Sequence, residues 1–155
     1  MTQLLQRKQP EIKAILLIRD LDNHPDRRMG LEQARKVSNT LFLQIILGTA
    51  DPKREAWVLN GFIAQGKMEE KILLGIANKL SFDPCEESHR LRSPNSSSDK
   101  SRNIKTVLDQ LTQSNYLREQ YCWKTTDLKI LEQRGSHTGL TEYLKEVKDK
   151  LPHVI

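Results

Sequence analysis

The apolar positions of the chain follow two kinds of pattern. Two short runs are nearly continuous, Ile15-Leu16-Leu17-Ile18 and Phe42-Leu43-Gln44-Ile45-Ile46-Leu47. Runs this short predict strands, one over about 13–19, which as an unbroken apolar run fits a strand buried on both faces, and one over about 42–47. Elsewhere apolar residues recur at three- and four-residue spacing, which puts them on one face of a helix. Leu31, Ala34, Val37 and Leu41 predict a helix over about 29–40, and Ala56, Leu59 and Ile63 one over about 53–63. Ile72, Leu73, Ile76, Ala77 and Leu80 predict a third over about 68–80.

The last third reads as helical throughout. Ile104, Val107, Leu108 and Leu111 form an amphipathic stripe, and Leu128 and Leu131 lie on a short helix capped near Thr126. Leu140, Tyr143, Leu144, Val147 and Leu151 stripe a final helix, with Thr138 expected as its cap and Pro152 at its end. Near the N-terminus, Leu4 and Leu5 would anchor a short helix that Pro10 interrupts. No internal repeat or sustained heptad is visible.

Strand, helix and strand in about 35 residues make a βαβ unit, with parallel strands and a right-handed crossover. The expected fold class is therefore α/β: a small parallel sheet with flanking helices and a helical C-terminal half. The length suits one domain. Its βαβ core would span 13–62 and a mostly helical part 67–155. Within the latter, Phe82 to Lys100 shifts to polar, Ser- and Pro-rich composition and reads as a mobile surface loop at about 83–100, ending at a helix cap at Ser98 or Asp99.

Composition narrows the class without choosing a function. Hydrophobic residues are 37% and charged residues 29%, enough for a core beneath a solvated helical surface. The net charge of +5 adds a modest attraction for polyanions such as nucleic acid. Cys85 and Cys122 are far apart and lack CxxC spacing, which fits reduced intracellular thiols rather than a disulfide framework or a zinc site. Residues 1–10 lack a signal-peptide core, and no apolar run reaches the roughly 18 residues of a membrane span. A soluble cytoplasmic protein is expected.

Chemistry concentrates where the two apolar runs stop. The first ends in Asp20-Leu21-Asp22, and chemistry in open α/β sheets gathers at the carboxyl ends of strands. Alternate strand residues share a side, so Asp20 and Asp22 could converge on one hard cation, magnesium or manganese. A capping role in a polar loop is the plainer alternative. The second run ends at Gly48-Thr49-Ala50-Asp51-Pro52, and the polar start of the next helix, Lys53-Arg54-Glu55, would lie on the same edge. Glu55 falls in a first helical turn, where a carboxylate is favoured for electrostatic reasons alone. Trp57 reads as core. Arg19, Arg27, Arg28, Lys53 and Arg54 surround both strand ends and could clamp phosphates, or serve solubility and pair with Asp26 and Asp51. His24 lies near the acids, whereas His89 and His137 have no evident partner. No Ser-His-Asp or Cys-His arrangement and no Gly-rich phosphate loop is present.

A strand ending in DxD, a helix, a second strand and then Asp51-Pro52-Lys53-Arg54-Glu55-Ala56-Trp57-Val58-Leu59 resembles the Toprim-fold proteins of bacterial anti-phage systems, of the RloB-like and OLD-like kind. The resemblance covers about residues 13–62. It implies a Toprim core, an antiviral-defence role beside a partner ATPase, and magnesium- or manganese-dependent cleavage of nucleic-acid phosphodiesters. On this resemblance Asp20, Asp22 and Glu55 would be the catalytic and metal-binding acids. Arg28, Lys53 and Arg54 would contact the nucleic acid, and an oligomer is compatible with it. Toprim domains open with a strand ending in glutamate before the DxD, whereas Glu11 here precedes the first strand. That general base is expected to be missing, to come from another chain, or to lie outside a truncated product. A non-catalytic interaction subunit that retains the fold is therefore an alternative. A third is a phosphatase of the haloacid dehalogenase type, in which the first Asp after the strand is the nucleophile. Asn23-His24-Pro25-Asp26 here replaces the Thr-containing turn of that family.

Overall fold

The computed structural model describes residues 12–22, 24–38, 43–93 and 100–153. The expected N-terminal helix, Leu41, Phe42 and the cap at Ser98 or Asp99 lie outside these residues. The described chain is mixed α/β. Strand β1 (Ala14–Asp20) and strand β2 (Gln44–Ala50) run parallel, with Ala14 opposite Gln44 and Asp20 opposite Ala50. Helix α1 (Asp26–Ser38) connects them. Helices α2 (Arg54–Asn60), α3 (Gly66–Leu80), α4 (Ile104–Thr112), α5 (Tyr116–Thr125), α6 (Leu128–Arg134) and α7 (Leu140–Lys150) follow.

The short helix α2 organises the packing. Ala56, Trp57, Val58, Leu59 and Asn60 are all buried, so apolar contacts surround it rather than lining one stripe. On one side, Ala56, Val58 and Leu59 join a core with Phe62, Ile76, Leu80, Ile104, Val107, Leu108 and Leu111. The predicted stripe of α4 is thus buried as read. On the other side, Trp57 packs with Ala50, Leu131 and Leu140, and with the partly buried Tyr143 and Leu144. The rings of Trp57 and Tyr143 stack at 5.3 Å, and the Trp57 indole N–H donates to the Thr138 carbonyl at 2.7 Å. Gly48 of β2 makes this fit possible: a Cβ there would lie 2.8 Å from Trp57 and 2.9 Å from Tyr143.

Buried polar groups lock the helices to these cores, as desolvated donors and acceptors require. Asn60 donates to the Cys85 carbonyl at 3.0 Å and to Ser88 Oγ at 2.9 Å, and its Oδ1 faces the Thr138 hydroxyl at 3.0 Å. Arg118 on α5 makes two 2.8 Å bonds to Glu69 on α3 and a third, 2.7 Å, to the Ile63 carbonyl.

Several sequence expectations need correcting. Strand β1 is not buried on both faces: Leu16, Leu17 and Ile18 are 47%, 42% and 41% exposed, whereas β2 is buried from Ile45 onward. Helix α7 and Trp57 pack against β2 rather than β1, a distinction that hydropathy alone does not carry. On α1, Ala34 and Val37 are exposed, Val37 by 77%, and only Leu31 of the described stripe is half-buried, so the expected buried stripe is not formed. Thr138 is not the cap of α7, and the cap expected near Thr126 is its neighbour Asp127. Asp127 caps α6, accepting from the Lys129 N–H at 2.8 Å, while Thr126 donates to the Gly61 carbonyl. Gly139, at φ 79°, occupies the N-cap of α7. The described part of the expected loop, 83–93, is packed, with Cys85, Ser88, Leu91 and Ser93 buried beside Phe82. Its apolar residues are irregularly spaced and leave no periodic signal. Among the described residues, no helix is long and apolar enough to cross a membrane.

Candidate functional site

The carboxyl ends of β1 and β2 are tied together beyond the last paired residues. The Leu21 N–H donates to the Ala50 carbonyl, and the Asp22 N–H to the Pro52 carbonyl, both at 2.9 Å. Asp22 adopts a left-handed conformation, φ 51°, which aspartate tolerates better than most residues. This backbone path holds Asp20 and Asp22 against the start of α2. The Arg54 N–H, in the first turn of α2 and without an intrahelical acceptor, donates to Asp20 Oδ1 at 2.9 Å.

Both acids face cations of the chain itself. Arg27 Nη1 donates to Asp22 Oδ2 at 2.6 Å and to the Asp20 carbonyl at 3.3 Å. The Lys53 ammonium pairs with Asp22 Oδ1 and lies 3.9 Å from Asp20 Oδ2, so one cationic group sits between the two carboxylates. Hydrogen bonds from Lys53 and then Arg27 hold the Asp22 carboxyl below its ordinary range, against a smaller opposing effect of burial. The same bond to Asp22 raises the Lys53 ammonium above its ordinary value.

Asp20 and Asp22 line an open cavity of about 600 Å³. Glu55 and Arg54 from α2, Arg19 and Ile18 from β1, and Lys105 from α4 complete its wall. Glu55 Oε1 is 3.7 Å from Lys105 Nζ, so this acid turns toward α4 rather than toward Asp22. The sequence-selected acids therefore share a cavity but not a coordination point. Among the described residues, no group of three or more His, Cys, Asp or Glu side chains is arranged to hold a metal ion. Asp20 and Asp22 carry the oxygen donors that a hard cation takes, but the Lys53 ammonium lies between them, and a metal would have to displace it.

The basic residues divide. Lys53 and Arg54 are at the site. Arg28 is exposed on α1 and is not part of the cavity wall. The expected pairing of the basic set with Asp26 and Asp51 gives way to Asp22, which takes both Arg27 and Lys53. His24 is exposed, and its backbone N–H bonds to the Leu21 carbonyl. His89 and His137 meet at 4.8 Å between ring centroids, a pairing with no signature in their spacing. Trp57 is core, as read. Lys105 was not foreseen, because its place on the cavity comes from packing of α4 against α2, and nothing local marks it.

A second cavity, of about 310 Å³, adjoins the first, and Ile18 and Arg54 line both. Trp57 and Val58 form part of its floor. Tyr116, Glu119, Gln120 and Trp123 of α5 form its wall. Burial raises the Glu119 carboxyl above its ordinary range, and the nearby Asp109 and Glu55 add to this.

Comparison of the chain with protein-family models, curated proteins and solved structures finds no match.

Proposed function

We propose that the chain is a Toprim-like protein of divalent-metal-dependent phosphodiester cleavage in nucleic acid, or a subunit of such a defence nuclease. The observation that carries this reading is the pairing of Asp20 and Asp22 around one cationic group, in a cavity also lined by Glu55, Arg19, Arg54 and Lys105. Asp20 and Asp22 would hold magnesium or manganese, with Glu55 on the same wall. Such an ion supplies Lewis-acid stabilisation of developing charge on phosphate oxygens. Arg54 orients Asp20 through its backbone N–H, Arg27 orients Asp22, and the side chains of Arg54 and Lys105 offer positive charge to a phosphate. Lys53, once displaced from Asp22, would join them.

The second reading, a non-catalytic interaction subunit, has its own support. Lys53 and Arg27 already neutralise Asp22, and β1 presents exposed apolar residues. Manganese titration by calorimetry and cleavage assays on plasmid DNA, single-stranded DNA and RNA separate the two. Metal binding with cleavage, both lost in Asp20→Asn and Asp22→Asn, supports the nuclease. Metal binding or nucleic-acid binding without cleavage, in the presence of a candidate partner ATPase as well, supports the subunit. Absence of metal binding and of cleavage would overturn the nuclease reading.

A further inference from the structure

The face of α5 beside the polar cavity is unusual for a solvated helix. Tyr116, Glu119, Gln120 and Trp123 stand at positions i, i+3, i+4 and i+7, on one side of the helix, and all line the 310 Å³ groove. Tyr116 is 68% exposed and Trp123 38%. Trp123 sits edge-on to the buried Trp57, with ring centroids 6.4 Å apart, and keeps part of its ring open to solvent. Across the groove, Ile18 of β1 is 41% exposed. The volume is in the range of small-ligand sites.

We infer that this groove receives a base of a single-stranded nucleic acid whose phosphate occupies the adjoining polar cavity. The inference rests on the phosphodiester reading of that cavity and names its substrate class. Arg54 is the junction, lining both spaces, so a ligand with an anionic part and a flat apolar part would span them. Aromatic side chains beside a cationic track are how sequence-tolerant single-strand binders hold bases. Gln120 offers an amide donor and acceptor, suited to the polar edge of a base. A wholly apolar protein segment would fit less well, because it would desolvate Glu119 and Gln120 without offering them partners. A base in a duplex does not present its face to a side chain, so the strand must be single or locally open.

The test is fluorescence anisotropy of the full chain with a labelled oligothymidylate and an abasic oligomer of equal length, in magnesium and in EDTA. The base-bearing strand is expected to bind at least about fivefold more tightly, and Trp123→Ala and Tyr116→Ala to remove that preference while leaving abasic binding unchanged. Tyr116 is exposed enough that its replacement should not disturb folding, which circular dichroism checks for both variants. Equal binding of the two oligomers would overturn the base site but leave the phosphate cavity standing. A preference unaffected by either variant would also overturn it, and would point to a protein partner on α5. Binding of neither oligomer would overturn this inference and the phosphodiester reading together.

Discussion

Lys53 and Asp22 form an ion pair at the carboxyl ends of the two strands, and the same ammonium lies 3.9 Å from Asp20. The seat that two convergent carboxylates offer a cation is therefore filled from within the chain. Lys53 follows β2 and Asp22 follows β1, so the parallel register brings the two together. An internal ammonium at this point favours charge balance when no other cation is bound, and competes with any that arrives.

Removing that ammonium should consequently strengthen metal binding. Lys53→Met leaves Asp22 with Arg27 and frees one of its oxygens. Manganese affinity is expected to rise roughly fivefold to tenfold, about 1–1.4 kcal/mol, whereas Asp22→Ala should abolish it. Calorimetric titration of the three proteins measures both. Unchanged affinity in Lys53→Met would show that the lysine does not guard the seat.

The Glu69–Arg118 pair should govern part of the acid stability. Its side chains are 16% and 11% exposed, and hydrogen bonding to Arg118 holds the Glu69 carboxyl below its ordinary range. A depressed carboxyl contributes stability above its unfolded value, and that contribution is lost as the pH falls through the lower folded value. Glu69→Gln leaves Arg118 without its charge partner and should cost about 1–3 kcal/mol at pH 7. As the wild-type carboxyl becomes protonated, the two proteins should converge. Urea unfolding at neutral pH and near pH 3 measures this, and a difference that persists undiminished in acid would contradict it.

What the sequence made legible and what it hid have a common physical origin. Periodic signals translated well: Ile104, Val107, Leu108 and Leu111 are buried together, and the apolar runs became paired parallel strands. Placement of Asp20, Asp22, Lys53 and Arg54 at one edge followed from strand order alone. Burial of β1 was misjudged because Leu16, Leu17 and Ile18 record only that the strand is apolar, not what lies against it. Thr138 is a natural cap by residue type, yet its hydroxyl is drawn inward to Asn60 and Gly139 takes the cap position. Lys105, Tyr116 and Trp123 escaped notice for a related reason. Their places on the two adjoining cavities are a product of how α4 and α5 pack around α2, and helix-to-helix placement leaves no trace in local spacing.

The glycines offer a test of backbone fit that is independent of any activity. Gly139 sits at φ 79°, and a Cβ there would lie 2.1 Å from the Thr49 carbonyl oxygen. That oxygen belongs to β2 and Gly139 begins α7, so neither can retreat without parting helix and sheet. Gly139→Ala combines left-handed strain with a backbone clash and should cost about 3 kcal/mol or more. Gly30 and Gly75 are opposite cases. Both lie inside helices, α1 and α3, and a Cβ at either meets nothing within 4 Å. Alanine there restricts the unfolded chain and suits the helix, so Gly30→Ala and Gly75→Ala should each stabilise by about 0.4–1 kcal/mol. Thermal unfolding should therefore fall sharply for the first variant and rise by a few degrees for the other two. A tolerant Gly139→Ala would mean that α7 does not dock against Thr49 as described, and destabilised Gly30 or Gly75 variants would mean that those helix faces are covered in solution.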